Sequence, residues 1–235
     1  FEELHHEEVM RQATLQQCIY VFVEGQSEEV AIPILFERLG MDLEEDGVIV
    51  THYNGINNLP HVLRLMNQTL SYDRPIIVTY DNDLDGQRIT RKISPYIYTG
   101  SKVILQTIPS RPVVTFNNGH QGGSFEEAFL SKFFIDTCFQ GCFMPSNIVA
   151  LKQDFLNVFD RNKPWMAQIS EFCKVHQCMD FGKCKVSLAE NLAKNCDRIP
   201  SSFNDLATLV KQTRLAHPVK HPDDVELPKI RGLTC

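Results

Sequence analysis

The chain has 235 residues, 43% hydrophobic and 22% charged, the balance of a globular protein long enough to bury one large core. Its formal net charge of -6 is opposite in sign to that of most nucleic-acid binders. No apolar run is long enough to span a membrane and no secretory signal opens the sequence, so the eight cysteines read as reduced thiols of a cytoplasmic protein. A chain that opens on Phe1 is expected to be a piece of a longer protein, with residues 1–16 forming a linker or helix from an upstream domain.

Cys18–Val23 is a short apolar run and is predicted as the first strand. It breaks at Glu24-Gly25, after which Ser27 is the expected N-cap of a helix carrying Glu28 and Glu29 in its first turn. Val30, Ile34, Leu35 and Leu39 give that helix its apolar stripe, Pro33 is expected to kink it, and Gly40 ends it. Gly47–Tyr53 is the second strand. A helix from Asn58 to Leu70 follows, then a third strand over Pro75–Tyr80, a helix over Gln87–Tyr98 and a fourth strand over Lys102–Ile108. Strands alternating with helices predict an α/β fold: a mostly parallel four-stranded sheet with right-handed crossovers.

Residues 110–123, with Pro112 and three glycines, read as a flexible loop. Ser124 then caps a short helix over Phe125–Phe134, and helical patterns recur near 146–159, 164–176, 184–195 and 202–215. From Pro218 the tail reads as extended.

The chemistry lies at two strand ends. Ligands in open α/β sheets bind beyond the carboxyl ends of the strands, which brings Glu24 and Asp81 to one crevice. Glu28 stands one helical turn after Glu24, and Asp83 stands two residues after Asp81, where both aspartates can flank one ion. Asp85 either adds an oxygen or caps the next helix. Hard oxygen donors without histidine or cysteine suit Mg2+ or Mn2+, and two such ions would clamp the attacking and leaving oxygens of a phosphoryl transfer. Two divalent ions also return about four positive charges, which softens the objection from net charge.

The acidic set, together with Val23-Glu24-Gly25-x-x-Glu28 and Ile32-Pro33, resembles the TOPRIM domain of OLD (overcoming lysogenization defect) family nucleases. The resemblance covers roughly residues 17–215 and extends to a Ser-x-Glu element, matched by Ser124-Phe125-Glu126. It implies a TOPRIM catalytic domain over 17–135, a helical elaboration over 136–217 that completes the site, and a tail over 218–235. It further implies metal ligands Glu24, Glu28, Asp81, Asp83, Ser124 and Glu126, with Asp85 as an additional oxygen, and a lysine that stabilises charge on the phosphate. Lys185 and Lys163 both fit that lysine, Lys185 first. Gly25 lets the backbone approach the bound ions.

The implied activity is two-metal hydrolysis of DNA, with RNA open. The implied partner is an upstream ABC-type ATPase domain in the same polypeptide, which would bring ATP, homo-oligomerisation and a role in phage defence in a bacterial or archaeal cell. Competing readings are a primase- or topoisomerase-type nucleotidyl-transfer domain and a non-catalytic DNA-binding module. A haloacid-dehalogenase-type phosphatase needs threonine or valine four residues after its first aspartate, where this chain has Asp85. Cys173, His176, Cys178 and Cys184 are four possible zinc ligands, but their spacing matches no finger pattern and reads as ordinary thiols in a helical region.

Overall fold

Short runs of β-branched and aromatic residues build the sheet. The computed structural model describes residues 2–69, 74–97, 103–140, 148–178, 180–221 and 224. Helix α1 (Glu2–Gln17) leads into β1 (Ile19–Val23), α2 (Gln26–Arg38) and β2 (Val48–His52). α3 (Leu59–Thr69), β3 (Ile76–Asp81), α4 (Leu84–Ile97) and β4 (Val103–Ile108) follow. The strands lie in the order β2-β1-β3-β4 and every pair is parallel, with Val23 opposite His52 and Val21 opposite Ile77. This is the α/β sheet that the alternation of strand and helix patterns predicts.

Side chains alternate across a strand, and the two cores follow that period. Ile19, Val21, Val23 and Ile77 face one core, while Phe22, Ile76, Val78 and Val103 face the other. From β1 the chain winds outward to β2, then returns past β1 to β3 and on to β4. Right-handed crossovers therefore place α2 on one face and α3 and α4 on the opposite one. Ile32, Leu35 and Phe36 fill the first core, and Leu59, Leu63, Ile89 and Ile93 the second. β1 and β3 are the neighbours at which the winding reverses, the place beyond the carboxyl ends where open α/β sheets bind their ligands.

After β4 come a hairpin of β5 (Val114–Thr115) and β6 (Gln121–Gly122), a 3-10 turn (Phe125–Ala128) and α5 (Ser131–Cys138). α6 (Ile148–Val158), α7 (Trp165–Val175), α8 (Phe181–Asn195) and α9 (Ser201–Ala216) complete the described structure. These helices cover the outer side of α2. Phe134, Phe155, Trp165 and Phe203 are buried in the same core as β1, so the helical half shares its packing with the sheet. α5 runs through the boundary expected at 135/136. Arg38 ties α2 to α8 by donating to the carbonyls of Ala193 (2.6 Å) and Cys196 (2.5 Å). Arg214 of α9 donates to those of Asp46 (2.7 Å) and Gly47 (3.0 Å). No helix among the described residues is long and apolar enough to cross a membrane.

The structure departs from the sequence reading at several points. α2 begins at Gln26 with Gly25 in the cap position, so Ser27 lies inside the helix, and α2 runs unbroken through Pro33. The expected loop over 110–123 contains an ordered hairpin, closed by hydrogen bonds from Phe116 N to His120 O (2.8 Å) and from Gly119 N to Phe116 O (2.8 Å). The expected helix 125–134 is two pieces, because Phe129 turns extended after the 3-10 turn. Most of the expected extended tail, Cys142, Cys235 and the end of the Asn58–Leu70 helix lie outside the described residues.

Candidate metal centre

Three segments deliver the acidic groups. Glu24 follows the last residue of β1, and its Oε2 accepts the backbone N–H of Asp81 at 3.3 Å, which joins the two central strand ends directly. Asp81 closes β3, and its Oδ1 accepts the N–H of Phe125 at 3.1 Å. That bond draws in the Ser124-Phe125-Glu126 segment. The approach depends on glycine: a Cβ on Gly122 would stand 1.6 Å from the Asn82 carbonyl oxygen. Gly123 N–H donates to that same oxygen at 3.0 Å. A side chain at 122 would push the whole Ser-x-Glu element off the end of β3.

The electrostatics show how close the carboxylates are. Burial raises the Glu28 carboxyl to about 7, with Glu126 and Glu24 adding repulsion and Lys185 opposing it. Burial also raises Asp81 well above the usual carboxylate range, reinforced by the charges of Glu28, Glu24, Glu126 and Asp83. Glu24 is raised by burial and by Asp83, and is held back by the N–H groups of Asp81 and Ile56 and by Lys185. Beneath them the buried Tyr53 hydroxyl donates to the Thr79 carbonyl at 2.8 Å, and its ionisation is opposed by burial and then by Glu24, Asp81, Glu28 and Asp83. Five carboxylates from three segments thus repel one another around one crevice.

The remaining expected residues divide. Lys185, on α8, acts on both Glu24 and Glu28, whereas Lys163 is 64% exposed and turns to Asp160 at 3.8 Å. Asp85 is 60% exposed and pairs with Arg88 at 3.0 Å, so its carboxylate points to solvent. Asp83 caps α4 by accepting Gly86 N–H at 2.6 Å. A Cβ on Gly25 would press within 3.3 Å of Glu28 Oε2. The Ser124 hydroxyl donates to Glu127 (2.5 Å), with Glu126 also within hydrogen-bond distance (3.0 Å).

Two contributors escaped the sequence reading. Glu127 is buried and satisfies Ser124 N–H (2.7 Å) and Trp165 N–H (2.7 Å), locking the Ser-x-Glu turn to the start of α7. Ser124-x-x-Glu127 is a capping box, and that spacing is the signal that reveals it. Glu29, read from sequence only as a favourable first-turn acid, grips His52 at the end of β2.

Among the described residues no group of three or more acidic, histidine or cysteine side chains is arranged to hold a metal ion as it stands. The donor set nevertheless fits a hard divalent cation. Every donor is a carboxylate or hydroxyl oxygen, and added positive charge would offset both the burial and the neighbouring carboxylates that raise Glu28 and Asp81. The cysteine stretch keeps its thiols: Cys173 is buried in the core with its thiol pushed up to about 12 by burial, and His176 packs on Phe172.

A parallel four-stranded sheet with a glutamate and an Asp-x-Asp pair at its two central strand ends is the mark of a TOPRIM-type α/β domain. Residues 20–83 match the family model described as "Overcoming lysogenization defect protein-like, TOPRIM domain", and this segment is an OLD-like TOPRIM domain. The C-terminal region of the Xanthomonas campestris pv. campestris OLD protein has the same fold in two solved structures. The mercury-phased structure superposes with a TM-score of 0.54 at 16% identity, covering 84% of this chain and 97% of that one. The platinum-phased structure gives 0.53 at 15% identity, with 84% and 94% covered. No curated protein matches the chain.

Proposed function

We propose that the chain is the nuclease part of an OLD-like protein, hydrolysing DNA phosphodiester bonds with divalent metal ions. The observation that supports this most is the gathering of Glu24, Glu28, Asp81, Asp83 and Glu126 at the point where the sheet winding reverses, with Lys185 beside them. Glu24 and Glu28 would hold one ion, Asp81 and Asp83 would serve both from the opposite strand end, and Ser124 with Glu126 would complete the second. When bound, Mg2+ or Mn2+ supplies Lewis acidity toward the phosphate and a nucleophilic oxygen at neutral pH.

The chain's own residues do the rest. Burial, with Glu126 and Glu24, raises Glu28 to about 7 while no cation is bound, and a bound cation would favour its ionised, ligating form. Lys185 offers positive charge to the phosphate as negative charge grows on it. The backbone N–H groups of Asp81 and Phe125 hold Glu24 and Asp81 in place before substrate arrives. By the same resemblance, an ABC-type ATPase domain precedes this part in the full polypeptide, supplies ATP dependence and dimer contacts, and places the protein in phage defence in the cytoplasm.

Supercoiled plasmid with Mn2+ or Mg2+ tests the reading. Wild-type protein converts it to nicked and linear forms, and Glu24→Ala or Asp81→Ala lowers the rate by about a hundredfold or more while the chain stays folded by circular dichroism. Full activity in either variant overturns the assignment. A second reading is a non-catalytic DNA-binding module, favoured by the lack of a ready-made three-ligand cage among the described residues; DNA retention without nicking by the wild-type protein would establish it.

A further inference from the structure

The first turn of α2 sends two neighbouring carboxylates in different directions. Glu28 turns to the acidic crevice, and Glu29, about 100° further round the helix, reaches the end of β2. There its Oε2 lies 2.8 Å from His52 Nδ1, and its Oε1 accepts the His52 backbone N–H at 3.1 Å. One carboxylate therefore fixes both the strand end and the ring. Val23 pairs with His52 across the sheet, which sets the imidazole one strand over from Glu24, at the same carboxyl edge as the metal centre. The His52 side chain is 26% exposed. The proposed hydrolysis makes no use of this pair.

A nucleic-acid strand gives it a purpose. The reacting phosphate meets the metal centre, but its neighbours along the strand meet an edge dominated by Glu24, Glu28, Asp81, Asp83 and Glu126. Each non-reacting phosphate held there needs its own cationic donor. An imidazole whose Nδ1 is taken by a carboxylate presents Nε2 to any second partner. With protons on both nitrogens it becomes a cation between two anions, a carboxylate on one side and a phosphate on the other.

We propose that the Glu29–His52 pair is a contact site for a non-reacting phosphodiester of a bound polynucleotide strand. His52 is the donor, and Glu29 is the residue that positions it. The proposal rests on the nuclease reading for the class of substrate and adds to it a subsite on the β2 side of the crevice.

The test measures binding apart from hydrolysis. A fluorescently labelled oligonucleotide is titrated with the intact protein in Ca2+, and anisotropy is followed over a range of salt concentrations. His52→Gln is expected to weaken binding by about five- to tenfold and to lower the salt-dependence slope by about one. His52→Arg, which keeps a charged donor, is expected to restore both. Glu29→Gln is expected to fall between wild type and His52→Gln, with the loss recovered in the Glu29→Gln/His52→Arg double variant. Unchanged affinity and slope in His52→Gln overturn the contact. So does a loss that His52→Arg fails to restore and that tracks a lower melting temperature, because the pair then only fastens α2 to β2. Wild-type protein that binds the oligonucleotide without ever nicking DNA overturns the hydrolytic reading alone, and wild-type protein that does not bind it overturns the contact.

Discussion

The carboxyl edge of the sheet and the helical half that covers α2 are built on opposite terms. At the edge, Glu24, Glu28, Asp81 and Glu126 are pressed together against their own repulsion. In the helical half, aromatic rings meet at favourable separations: Phe155 with Phe172 at 5.2 Å and with Phe139 at 5.5 Å, and Phe134 with Trp165 at 5.4 Å. The acidic edge is costly to assemble and the aromatic core is stabilising, and both are fastened to α2. The helices are what allow an unfavourable cluster of like charge to persist in a marginally stable chain.

Four substitutions or conditions probe that contrast, in order of expected size. Phe155→Ala removes a fully buried ring from the helical core and should cost about 3–5 kcal/mol by chemical denaturation, with metal-dependent stabilisation lost in the same step. A protein as stable as wild type would mean that the helices do not support the edge. Glu127→Ala leaves the Trp165 N–H without its acceptor and frees the Ser-x-Glu turn. A loss of about 2 kcal/mol in urea unfolding is expected, together with weaker Mn2+ binding in calorimetry.

The pH effect comes next and runs opposite to that of an ordinary paired carboxylate. Glu28 is raised from 4.5 to about 7, so between those values the folded state holds a proton that the unfolded state has lost. Stability of the metal-free protein should therefore fall as pH rises through that window, by on the order of 1 kcal/mol per unit. Mg2+ should raise the melting temperature more at pH 8 than at pH 5, and a flat profile would remove Glu28 from the repelling cluster. Smallest is the contrast between the two lysines. Lys185→Ala should raise the apparent Glu28 titration followed by NMR, whereas Lys163→Ala removes only an exposed pair with Asp160, of about 0–1 kcal/mol, and should leave it unmoved.

Much of this was legible in the order of residues. The short apolar runs of β1 and β3 and the acidic residues that end them dictate the sheet and bring those residues to one edge, because the rule linking ligands to strand ends needs only strand order. The Ser124-Phe125-Glu126 element came from the family resemblance. What the sequence hid was set by tertiary contact. Asp85 looks like a third aspartate of one motif, yet helix α4 carries it outward to Arg88. Glu29 looks like a solvated first-turn acid, yet β2 ends within its reach. The 110–123 segment has loop composition, but its Gly122 serves a close backbone approach to Asn82 that no local rule announces. Lys185 lies on α8, which packs against α2, whereas Lys163 lies in the turn before α7 and pairs with Asp160, and that difference is set by packing alone.

The bond between Gly123 N–H and the Asn82 carbonyl also bears on the order of folding. The strand-end donors come together as soon as the parallel sheet forms, but Ser124 and Glu126 arrive only when the chain from Asn82 round to Gly123 has closed through β4 and the hairpin. That closure spans fewer residues than separate Val21 from its partner Ile77, so its entropy cost is no larger than that of joining the two central strands. The full charge repulsion of the site is complete only when both closures are made, that of β1 on β3 and that of Gly123 on Asn82.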